Sequence, residues 1–194
     1  MNSFSIIIPV YNESENIELL VKEIYQNLNE YKNFELVIIN DSSTDNTKDI
    51  LIEIQKNKPL KILTNEKKLG QSFSIVKGIE NSLYNTIITI DGDGQNNPAD
   101  IPKLLNKYFS DEIIFLVSGI RKKRKDSFTK IISSRLANNF RAFILKDNCK
   151  DTGCSLKVFN KEIFLSFPFF DGIHRFLPAL FNGYDKKVCF MDVD

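Results

Sequence analysis

Two carboxylates separated by one glycine, Asp91 and Asp93, stand directly after an apolar run of β-type residues. A run of this kind, bounded by turn formers, is typical of a buried strand in a parallel sheet, and Pro98 suits the first turn of the next helix. The acids therefore fall at the carboxyl end of the strand, the edge at which such sheets bind ligands. Because residues two apart on an extended segment project to the same side, we expect both carboxylates to face one point, with Gly92 and Gly94 leaving room for a bulky ligand.

Two convergent carboxylates and a nearby amide, Gln95, supply the few oxygen ligands that suit a hard divalent cation such as Mg²⁺ or Mn²⁺. Sites with so few protein oxygens usually complete their coordination with water and substrate phosphate, so the motif predicts a metal-bridged diphosphate. The alternative is an ordinary polar turn, since aspartate and glycine are common in turns and short motifs often match by accident.

Length and composition limit the class of protein. The 194 residues fit one domain, and 42% hydrophobic with 26% charged residues is a soluble globular composition. A formal net charge of +1 lacks the excess of Lys and Arg that a nucleic-acid binder carries. The sequence has no internal repeat and no evident linker, so we predict a single domain over residues 1–194 and no nucleic-acid partner.

The cysteines and the hydropathy pattern indicate the compartment. Cys149, Cys154 and Cys189 are odd in number and lack metal-ligand spacing, and His174 is the single histidine, so buried free thiols in a reducing compartment are expected. The N-terminus has no secretory signal pattern. The longest apolar run, residues 113–117, is far shorter than the roughly 20 residues of a membrane-spanning helix. A cytoplasmic location is therefore predicted.

Strands and helices alternate over the N-terminal part of the chain, which predicts an α/β fold with a mainly parallel central sheet and helices on both faces. Besides the strand before the acid pair, we predict strands over residues 4–10, 34–39, 60–65 and 113–119, and a first helix over residues 13–28. No Gly-x-Gly-x-x-Gly follows the first strand, so a dinucleotide-binding domain is disfavoured. Polar residues recur at the strand ends instead.

Two of these strand ends could hold a nucleoside. The loop after the first strand contains Pro9, Tyr11 and Glu13, and an aromatic face with a carboxylate could hold a planar ring and a ribose; helix capping by Asn12 is the alternative. After the second strand, the carboxylate of Asp41, fixed by local Ser and Thr hydrogen bonds, could accept a base N–H or a ribose hydroxyl. Taken alone, Asp41 also fits a simple Asx turn.

Cationic and aromatic segments follow. Gly70 lies in a basic turn before a predicted helix, which suits a phosphate-facing element although the full phosphate-loop pattern is lacking. Five consecutive cations, residues 121–125, lead into a predicted helix over residues 127–145 and form either a solvated face or an anion site. The Phe-rich stretch 166–181 is typical of a core, and an exposed part of it would mark an interaction surface.

Four segments in this order and spacing, residues 4–13, 37–45, 91–100 and 151–157, resemble the family-2 glycosyltransferases with the A-type fold. The likeness covers nearly the whole chain and is greatest to polyprenyl-phosphate sugar transferases, typified by dolichol-phosphate mannosyltransferase. It implies a Rossmann-like nucleotide-diphospho-sugar transferase fold. It also favours the metal site over the polar turn as the interpretation of the acid pair.

The resemblance implies roles by position. Donor binding falls to the residues that match the family's nucleotide motifs: Pro9, Tyr11, Glu13, Asp41, Gly70 and Asp91. The metal and diphosphate motif matches Asp91, Asp93 and Gln95, where the family often has Asp-Ala-Asp. The positions that hold the acceptor phosphate and the donor diphosphate match Arg121, Lys130 and Ser134. Asn40 departs from the paired acids more usual in the family, which leaves the base preference open.

The nature of the acceptor decides which catalytic groups are needed. A divalent ion held by Asp91 and Asp93 would neutralise the departing diphosphate of a nucleotide sugar. A phosphate acceptor is already an anionic nucleophile, so it needs cations such as Arg121 and Lys130 more than a base, and a single displacement with inversion is expected. A sugar hydroxyl would need a carboxylate base, for which Asp151 is the candidate. The predicted catalytic residues are Asp93, Arg121 and Asp151.

The predicted function is the transfer of a hexose from a GDP-mannose or UDP-glucose type donor to a polyprenyl or dolichyl phosphate, at the cytoplasmic face of a membrane. The alternative within the family is transfer to a saccharide hydroxyl in cell-envelope polysaccharide synthesis. A nucleotidyltransferase and a non-catalytic binding module are rivals from other classes. Because the family usually continues with a basic segment after a strand like residues 188–193, we expect the chain to be C-terminally truncated.

Overall fold

The computed structural model describes residues 3–122, 149 and 151–194, and its centre is a seven-stranded sheet. The strands run in the order β3-β2-β1-β4-β6-β5-β7 across the sheet. Their bounds are β1 (Phe4–Val10), β2 (Phe34–Asn40), β3 (Lys61–Thr64), β4 (Thr86–Thr89), β5 (Ile114–Arg121), β6 (Lys157–Asn160) and β7 (Lys187–Val193). Only β6 runs antiparallel to its neighbours, β4 and β5, so the prediction of a mainly parallel sheet is confirmed.

Helices cover both faces of the sheet. The α-helices of the described residues are α1 (Ile17–Asn27), α2 (Thr47–Asn57), α3 (Gln71–Glu80), α4 (Ile101–Phe109), α5 (Lys161–Leu165) and α6 (Leu177–Gly183), with 3-10 turns at Pro98–Asp100 and Ile173–Arg175. Of these helices, none combines the length and the apolarity needed to cross a bilayer.

The alternation of side chains along β1 explains the two layers. Ile6 and Ile8 belong to a core cluster that includes apolar residues of α1 and α4, whereas Ile7 belongs to a second cluster with residues of α3 and α6. Successive side chains of a strand point to opposite faces, so an uninterrupted apolar strand is buried on both sides. The helices on both faces were predicted correctly.

The first helix begins later than the sequence predicted. We expected it from Glu13, but α1 starts at Ile17, after a turn in which the carbonyl of Glu13 accepts the N–H groups of Asn16 and Ile17. Asn12 has φ 58, a left-handed conformation incompatible with a helix, and the N-cap is Asn16. The polar loop after β1 is therefore longer than predicted and free to take part in a site.

The carboxyl edge of the sheet gathers the predicted functional residues. Strands β1, β2, β4 and β5 all end there, and β6, being antiparallel, begins there. The loop of Tyr11, the turn of Asp41, the acid pair, Arg121 and the segment that enters β6 consequently share one edge. Lys130, Ser134 and the predicted helix over 127–145 lie outside the described residues.

All three cysteines lie within the residues that the structure describes. Cys149 and Cys154 are buried, as predicted, and Cys189 on β7 is half-buried.

Candidate nucleotide-sugar site

A cavity of about 300 Å³ opens at the carboxyl edge of the sheet. It lies between the loop after β1, the turn after β2, the start of α3 and the acid pair after β4. Its lining contains all the residues predicted for the donor and the two predicted acids, namely Pro9, Tyr11, Glu13, Asp41, Gly70, Asp91 and Asp93. Val10, Lys68, Gln71, Ser74 and Gly92 complete the lining.

Asp41 is 3% exposed at one end of this cavity. Its Oδ1 accepts hydrogen bonds from Asn65 Nδ2 (2.7 Å) and the Leu69 N–H (2.8 Å), and its Oδ2 accepts one from the Gly70 N–H (2.8 Å). Burial by itself would raise the pKa of Asp41, but these hydrogen bonds and the charge of Lys68 outweigh it and lower the pKa. The carboxylate is therefore ionised at neutral pH. The prediction that neighbouring Ser and Thr residues hold Asp41 is wrong, since its hydrogen-bond donors lie 24 to 29 residues further along the chain.

Ser43 and Thr44 instead join the loops after β1 and β2. The Asn12 N–H donates to Ser43 Oγ (3.0 Å), and the Thr44 N–H donates to Asn12 Oδ1 (2.8 Å). Asn12 and Ser42 hold left-handed φ angles of 58° and 61°, a conformation that is uncommon outside glycine and that these contacts stabilise. The two loops thus form one fixed rim at the Asp41 end of the cavity.

The turn before α3 contributes a cation, Lys68, and a glycine with an unusual backbone conformation, Gly70. Lys68 Nζ lies 3.5 Å from the centroid of the Tyr11 ring, a cation–π contact at the cavity. Gly70, the N-cap of α3, has φ 92 and ψ 164, a region that glycine occupies readily and other residues rarely. Its N–H donates to Asp41, so the predicted phosphate-facing role of this turn is not carried by the amide of Gly70.

The acid pair converges by a turn and not by an extended strand. Strand β4 ends at Thr89, residues 92–94 turn, and Asp93 Oδ1 accepts the N–H of Gln95 (3.0 Å). A Cβ on Gly92 would lie 2.6 Å from Val10 Cγ1. Glycine at this position therefore serves close packing against the loop after β1, where we expected it to leave room for a ligand.

Asp91 is fixed from two sides. Gln71 Nε2 donates to its Oδ1 (2.6 Å), and its own N–H donates to Ser155 Oγ (3.0 Å). Burial and the negative charge of Asp93 raise the pKa of Asp91 to about 6, although positive charges nearby and the Ser155 hydroxyl oppose the rise. The two carboxylates are thus close enough to repel each other, and a bound cation would relieve this repulsion.

The donor chemistry of Asp91 and Asp93 fits a divalent cation. Within the described ranges, no group of three or more His, Cys, Asp or Glu side chains is arranged to hold a metal ion. The protein would therefore offer two carboxylates, and diphosphate oxygens with water would complete the coordination. Gln95 is exposed and does not line the cavity, so its role as a ligand stays a prediction.

Arg121 and Asp151 bind each other. Arg121 Nε lies 2.9 Å from Asp151 Oδ2, Arg121 Nη2 donates to Oδ1 (3.1 Å), and the N–H groups of Arg121 and Gly153 donate to the same carboxylate. The side chains are 15% and 4% exposed. A carboxylate that accepts four such hydrogen bonds is poorly placed to take a proton from a substrate. The geometry therefore favours a role for Asp151 in orienting Arg121 and disfavours its role as a general base.

Behind Asp91 lies a buried polar network that the sequence reasoning did not single out. Ser155 Oγ accepts a hydrogen bond from Asn96 Nδ2 (2.9 Å) as well as from the Asp91 N–H. Lys157 is 2% exposed at the start of β6, and its ammonium donates to the Cys154 carbonyl. Burial lowers the pKa of Lys157, whereas the thiol of Cys154 and the carboxylate of Asp91 oppose that change.

Lys157 could have been found from the sequence, because it lies within the apolar run that forms β6. A charged side chain at a strand position that is buried on both faces requires a partner. Ser155 lies in the same segment, which resembled the family, yet serine is too common there to be singled out. Gln71 carried no signal: its contact with Asp91 spans 20 residues and depends on how α3 meets β4.

His174 contacts the other side of α3. Its Nδ1 lies 3.0 Å from Ser72 Oγ, which also accepts the N–H of Gly172 (2.7 Å). Burial, then the positive charges of Lys157 and Arg175, lower the pKa of His174 to about 4. The imidazole is therefore neutral at pH 7, and it ties the Phe-rich stretch to the helix that lines the cavity.

Curated relatives share this sequence over most of the chain. An alignment of 186 positions with dodecaprenyl-phosphate galacturonate synthase of Rhizobium johnstonii shows 33% identity and covers 92% of this chain and 54% of that protein. An alignment of 197 positions, gaps included, with undecaprenyl-phosphate 4-deoxy-4-formamido-L-arabinose transferase of Pectobacterium carotovorum shows 26% identity and covers 100% of this chain and 59% of that protein. The chain thus spans a little over half the length of these relatives.

Solved structures share the fold. Glucosyl-3-phosphoglycerate synthase of Mycobacterium tuberculosis, in complex with Mn²⁺, UDP and phosphoglyceric acid, matches with a TM-score of 0.75 at 18% identity, over 98% of this chain and 68% of that one. The same enzyme with Mg²⁺ and UDP matches with a TM-score of 0.77 at 17% identity, over 98% and 69% of the two chains. The predicted fold class is confirmed.

A family model described as glycosyl transferase family 2 matches residues 5–166, which is most of the chain. The match includes the loops, the acid turn and the β6 segment that form the cavity and its support. The resemblance inferred from four short motifs is confirmed, and the chain belongs to glycosyl transferase family 2.

Proposed function

We propose that the chain carries the donor site of an inverting glycosyltransferase that moves a sugar from a nucleoside-diphosphate sugar to a polyprenyl phosphate. The observation that carries the proposal is a single cavity with an ionised carboxylate, Asp41, at one end and the repelling pair Asp91 and Asp93 at the other. A nucleotide sugar has its base at one end and a diphosphate between the ribose and the sugar, so it needs one group that contacts the base and, at a distance, another that contacts the diphosphate. The names of both curated relatives support a polyprenyl-phosphate acceptor.

At the base end, Asp41 and Tyr11 are the proposed contacts. The Asp41 carboxylate is held by neutral donors that leave its charge intact, so it suits a base N–H or a ribose hydroxyl. Tyr11 offers an aromatic face, now covered by the Lys68 ammonium. A base that stacks on Tyr11 would move Lys68 toward the diphosphate, where a cation is useful.

At the diphosphate end, Asp91 and Asp93 would hold Mg²⁺ or Mn²⁺, which supplies Lewis-acid stabilisation of the departing diphosphate. Gln71 fixes one oxygen of Asp91, and Ser155 fixes its backbone, so the carboxylate is oriented before the donor binds. Preorganised groups of this kind lose little entropy when the substrate arrives. The solved relatives with the same fold bind Mn²⁺ or Mg²⁺ together with UDP, which supports this arrangement.

The acceptor phosphate is proposed to approach from the β5 side, where Arg121 ends the strand at the same edge of the sheet at which β4 ends before Asp91. The phosphate oxygen attacks the anomeric carbon as the bond to the diphosphate breaks, and one displacement inverts that carbon. The nucleophile is already an anion, so no group has to remove a proton from it. The engagement of Asp151 with Arg121 is consistent with this and disfavours a saccharide hydroxyl as acceptor. Since such an acceptor resides in a membrane, we place the protein at the cytoplasmic face of one.

The proposal is tested by thermal shift with UDP and GDP, each with and without Mn²⁺. At 100 times its dissociation constant a ligand adds about 2.7 kcal/mol to the free energy of unfolding, so specific binding raises the melting temperature by several degrees. We expect one nucleotide to act, and only with the metal. In Asp93→Asn this shift should vanish and transfer to polyprenyl phosphate should fall about a thousandfold or more, because the metal loses a ligand.

The matched control is Asp49→Asn, which neutralises an exposed acid on α2 away from the cavity and should change neither readout. Retained transfer in Asp93→Asn would refute the metal role. A shift with both nucleotides in the absence of metal would refute the diphosphate end of the site.

A further inference from the structure

An aromatic patch lies on the surface beside the cavity. It consists of Phe73 on α3 and Phe169, Phe170 and Phe176 in the stretch before α6. The ring centroids of Phe73 and Phe169 are 6.4 Å apart in an edge-to-face contact, and those of Phe170 and Phe176 are 5.8 Å apart. Phe73, Phe169 and Phe170 are 40%, 54% and 37% exposed.

The exposure is selective within one stretch of chain. Phe164, Phe167 and Phe181 are at most 6% exposed and form the core beneath, as the sequence predicted for the Phe-rich stretch. The rings of the aromatic patch that come from this stretch are the ones that do not pack into the core. Adjoining apolar rings left in water on a soluble surface mark a binding site more often than they serve the fold.

The patch is joined to the cavity through the first turn of α3. Gly70, Gln71 and Ser74 line the cavity, and Phe73 follows Gln71 by two residues in the first turn of α3. Between them, Ser72 Oγ accepts the Gly172 N–H and contacts His174 Nδ1. These bonds fix the stretch that carries Phe169 and Phe170 against the helix that holds Gln71 on Asp91.

We propose that the aromatic patch binds the hydrocarbon chain of the acceptor, at the isoprene units that follow the one joined to its phosphate. This inference rests on the proposed function. The phosphate has to reach a sugar held at Asp91 and Asp93, so the attached chain must leave across the surface that borders the cavity. The patch offers that surface apolar rings, whereas most of the side chains that line the cavity are charged or polar.

The division of charge supports the isoprenoid chain as occupant. The cations suited to a phosphate are Lys68, which lines the cavity, and Arg121, which ends β5 at the same edge of the sheet, whereas the four side chains of the patch are uncharged hydrocarbon. A ligand that is an anion at one end and a neutral hydrocarbon beyond it matches this order of groups. A second sugar would need hydroxyl partners, which phenylalanine side chains cannot supply.

The test compares two acceptors in the full chain: undecaprenyl phosphate and dimethylallyl phosphate, which has one isoprene unit and is soluble in water. In the double variant Phe73→Ser, Phe169→Ser, we expect KM for undecaprenyl phosphate to rise about tenfold, since two rings lose their apolar contact. KM for dimethylallyl phosphate should rise clearly less, and the nucleotide-dependent thermal shift should be unchanged. Phe73→Leu, Phe169→Leu keeps the surface apolar and should restore most of the affinity.

The matched control is Phe109→Ser, which changes a ring of 36% exposure at the end of α4, at the opposite edge of the sheet near the start of β5. It should leave both KM values unchanged. An unchanged KM for undecaprenyl phosphate in the double variant, or an equal change for both acceptors, overturns the proposal.

Two further outcomes are also decisive. If the wild type sediments with acceptor-free phosphatidylglycerol vesicles and the double variant does not, the occupant is the bilayer surface and the acceptor-chain proposal is wrong. If the wild type binds nucleotide with metal but transfers sugar to neither phosphate, the proposed acceptor class fails, and the patch proposal fails with it. If the wild type transfers and the variants do not differ, only the patch proposal fails.

Discussion

The two sides of the sheet edge hold their carboxylates in different ways. On the β1–β2 side, Asp41 is fixed by an amide side chain and two backbone N–H groups, all neutral. On the β5–β6 side, Asp151 is fixed by the guanidinium of Arg121, and the ammonium of Lys157 is buried nearby. Neutral donors orient a carboxylate and leave its negative charge available to a ligand. In an ion pair, the charge of the carboxylate is neutralised by the cation that it orients. The first side suits recognition of a neutral base and ribose, and the second suits presentation of a fixed cation.

The largest effect on stability is expected from the removal of one member of the Arg121–Asp151 ion pair. Arg121→Ala leaves Asp151 buried without its cation, and we expect the free energy of unfolding to fall by about 3–5 kcal/mol. Urea denaturation measures this loss. The double variant Arg121→Met, Asp151→Asn removes both charges and should recover more than half of it, although transfer should remain lost because the cation is absent. A double variant no more stable than Arg121→Ala would contradict the buried-pair account.

The second prediction concerns Asp91, which lies between the two sides. Its pKa is 3.8 in the unfolded chain and about 6 in the fold, so the folded state binds the proton more tightly. This group's contribution to stability is therefore greatest below pH 4 and declines as pH rises to 6 and above. The difference of about two pKa units corresponds to about 3 kcal/mol. Without metal, Asp91→Asn should be more stable than wild type at pH 7.5 by up to this amount.

The measurement is urea denaturation from pH 4 to pH 7.5. The advantage of Asp91→Asn should disappear toward pH 4, and with Mn²⁺ and the active nucleotide the order should reverse, because the wild type alone keeps both metal ligands. Parallel stability curves for the two proteins across this pH range would show that Asp91 does not carry the shifted pKa.

The prediction with the smallest expected effect concerns the β1–β2 side, where neutral groups hold Asp41. Gly70→Ala places a Cβ in open space, yet the φ of 92° is strained for alanine, so we expect a loss of about 1–3 kcal/mol and weaker nucleotide binding through Asp41. Gly183→Ala is the matched control, since its Cβ also meets nothing within 4 Å and Gly183 lies in α6 without a positive φ. That change should be neutral or add up to about 1 kcal/mol. Equal effects at the two positions would refute the backbone explanation.

The sequence predicted the strands and the polar residues at their ends because both signals are local. Apolar runs such as the one before Asp91 identify buried strands, and parallel strands bring their carboxyl ends to one edge. What holds each group could not be predicted, since the partners of Asp41 come from the loop between β3 and α3, and those of Asp91 come from α3 and from the segment before β6. The pairing of Arg121 with Asp151 is of the same kind: both residues were singled out, each for a separate role, and only the antiparallel entry of β6 makes them neighbours.

The antiparallel strand β6 has a consequence for how the protein can change. The chain leaves the sheet after Arg121 and returns at Asp151, at the same edge, where the ion pair and the bond from the Gly119 N–H to the Leu156 carbonyl (2.9 Å) close it. These contacts hold together the two ends of the segment that joins β5 to Asp151, residues 122–150, which is 29 residues long. Closing a longer loop adds little entropy cost, since each doubling of length costs only about 0.6 kcal/mol. We therefore expect the pairing of β5 with β6 to tolerate changes in the length of the chain between them.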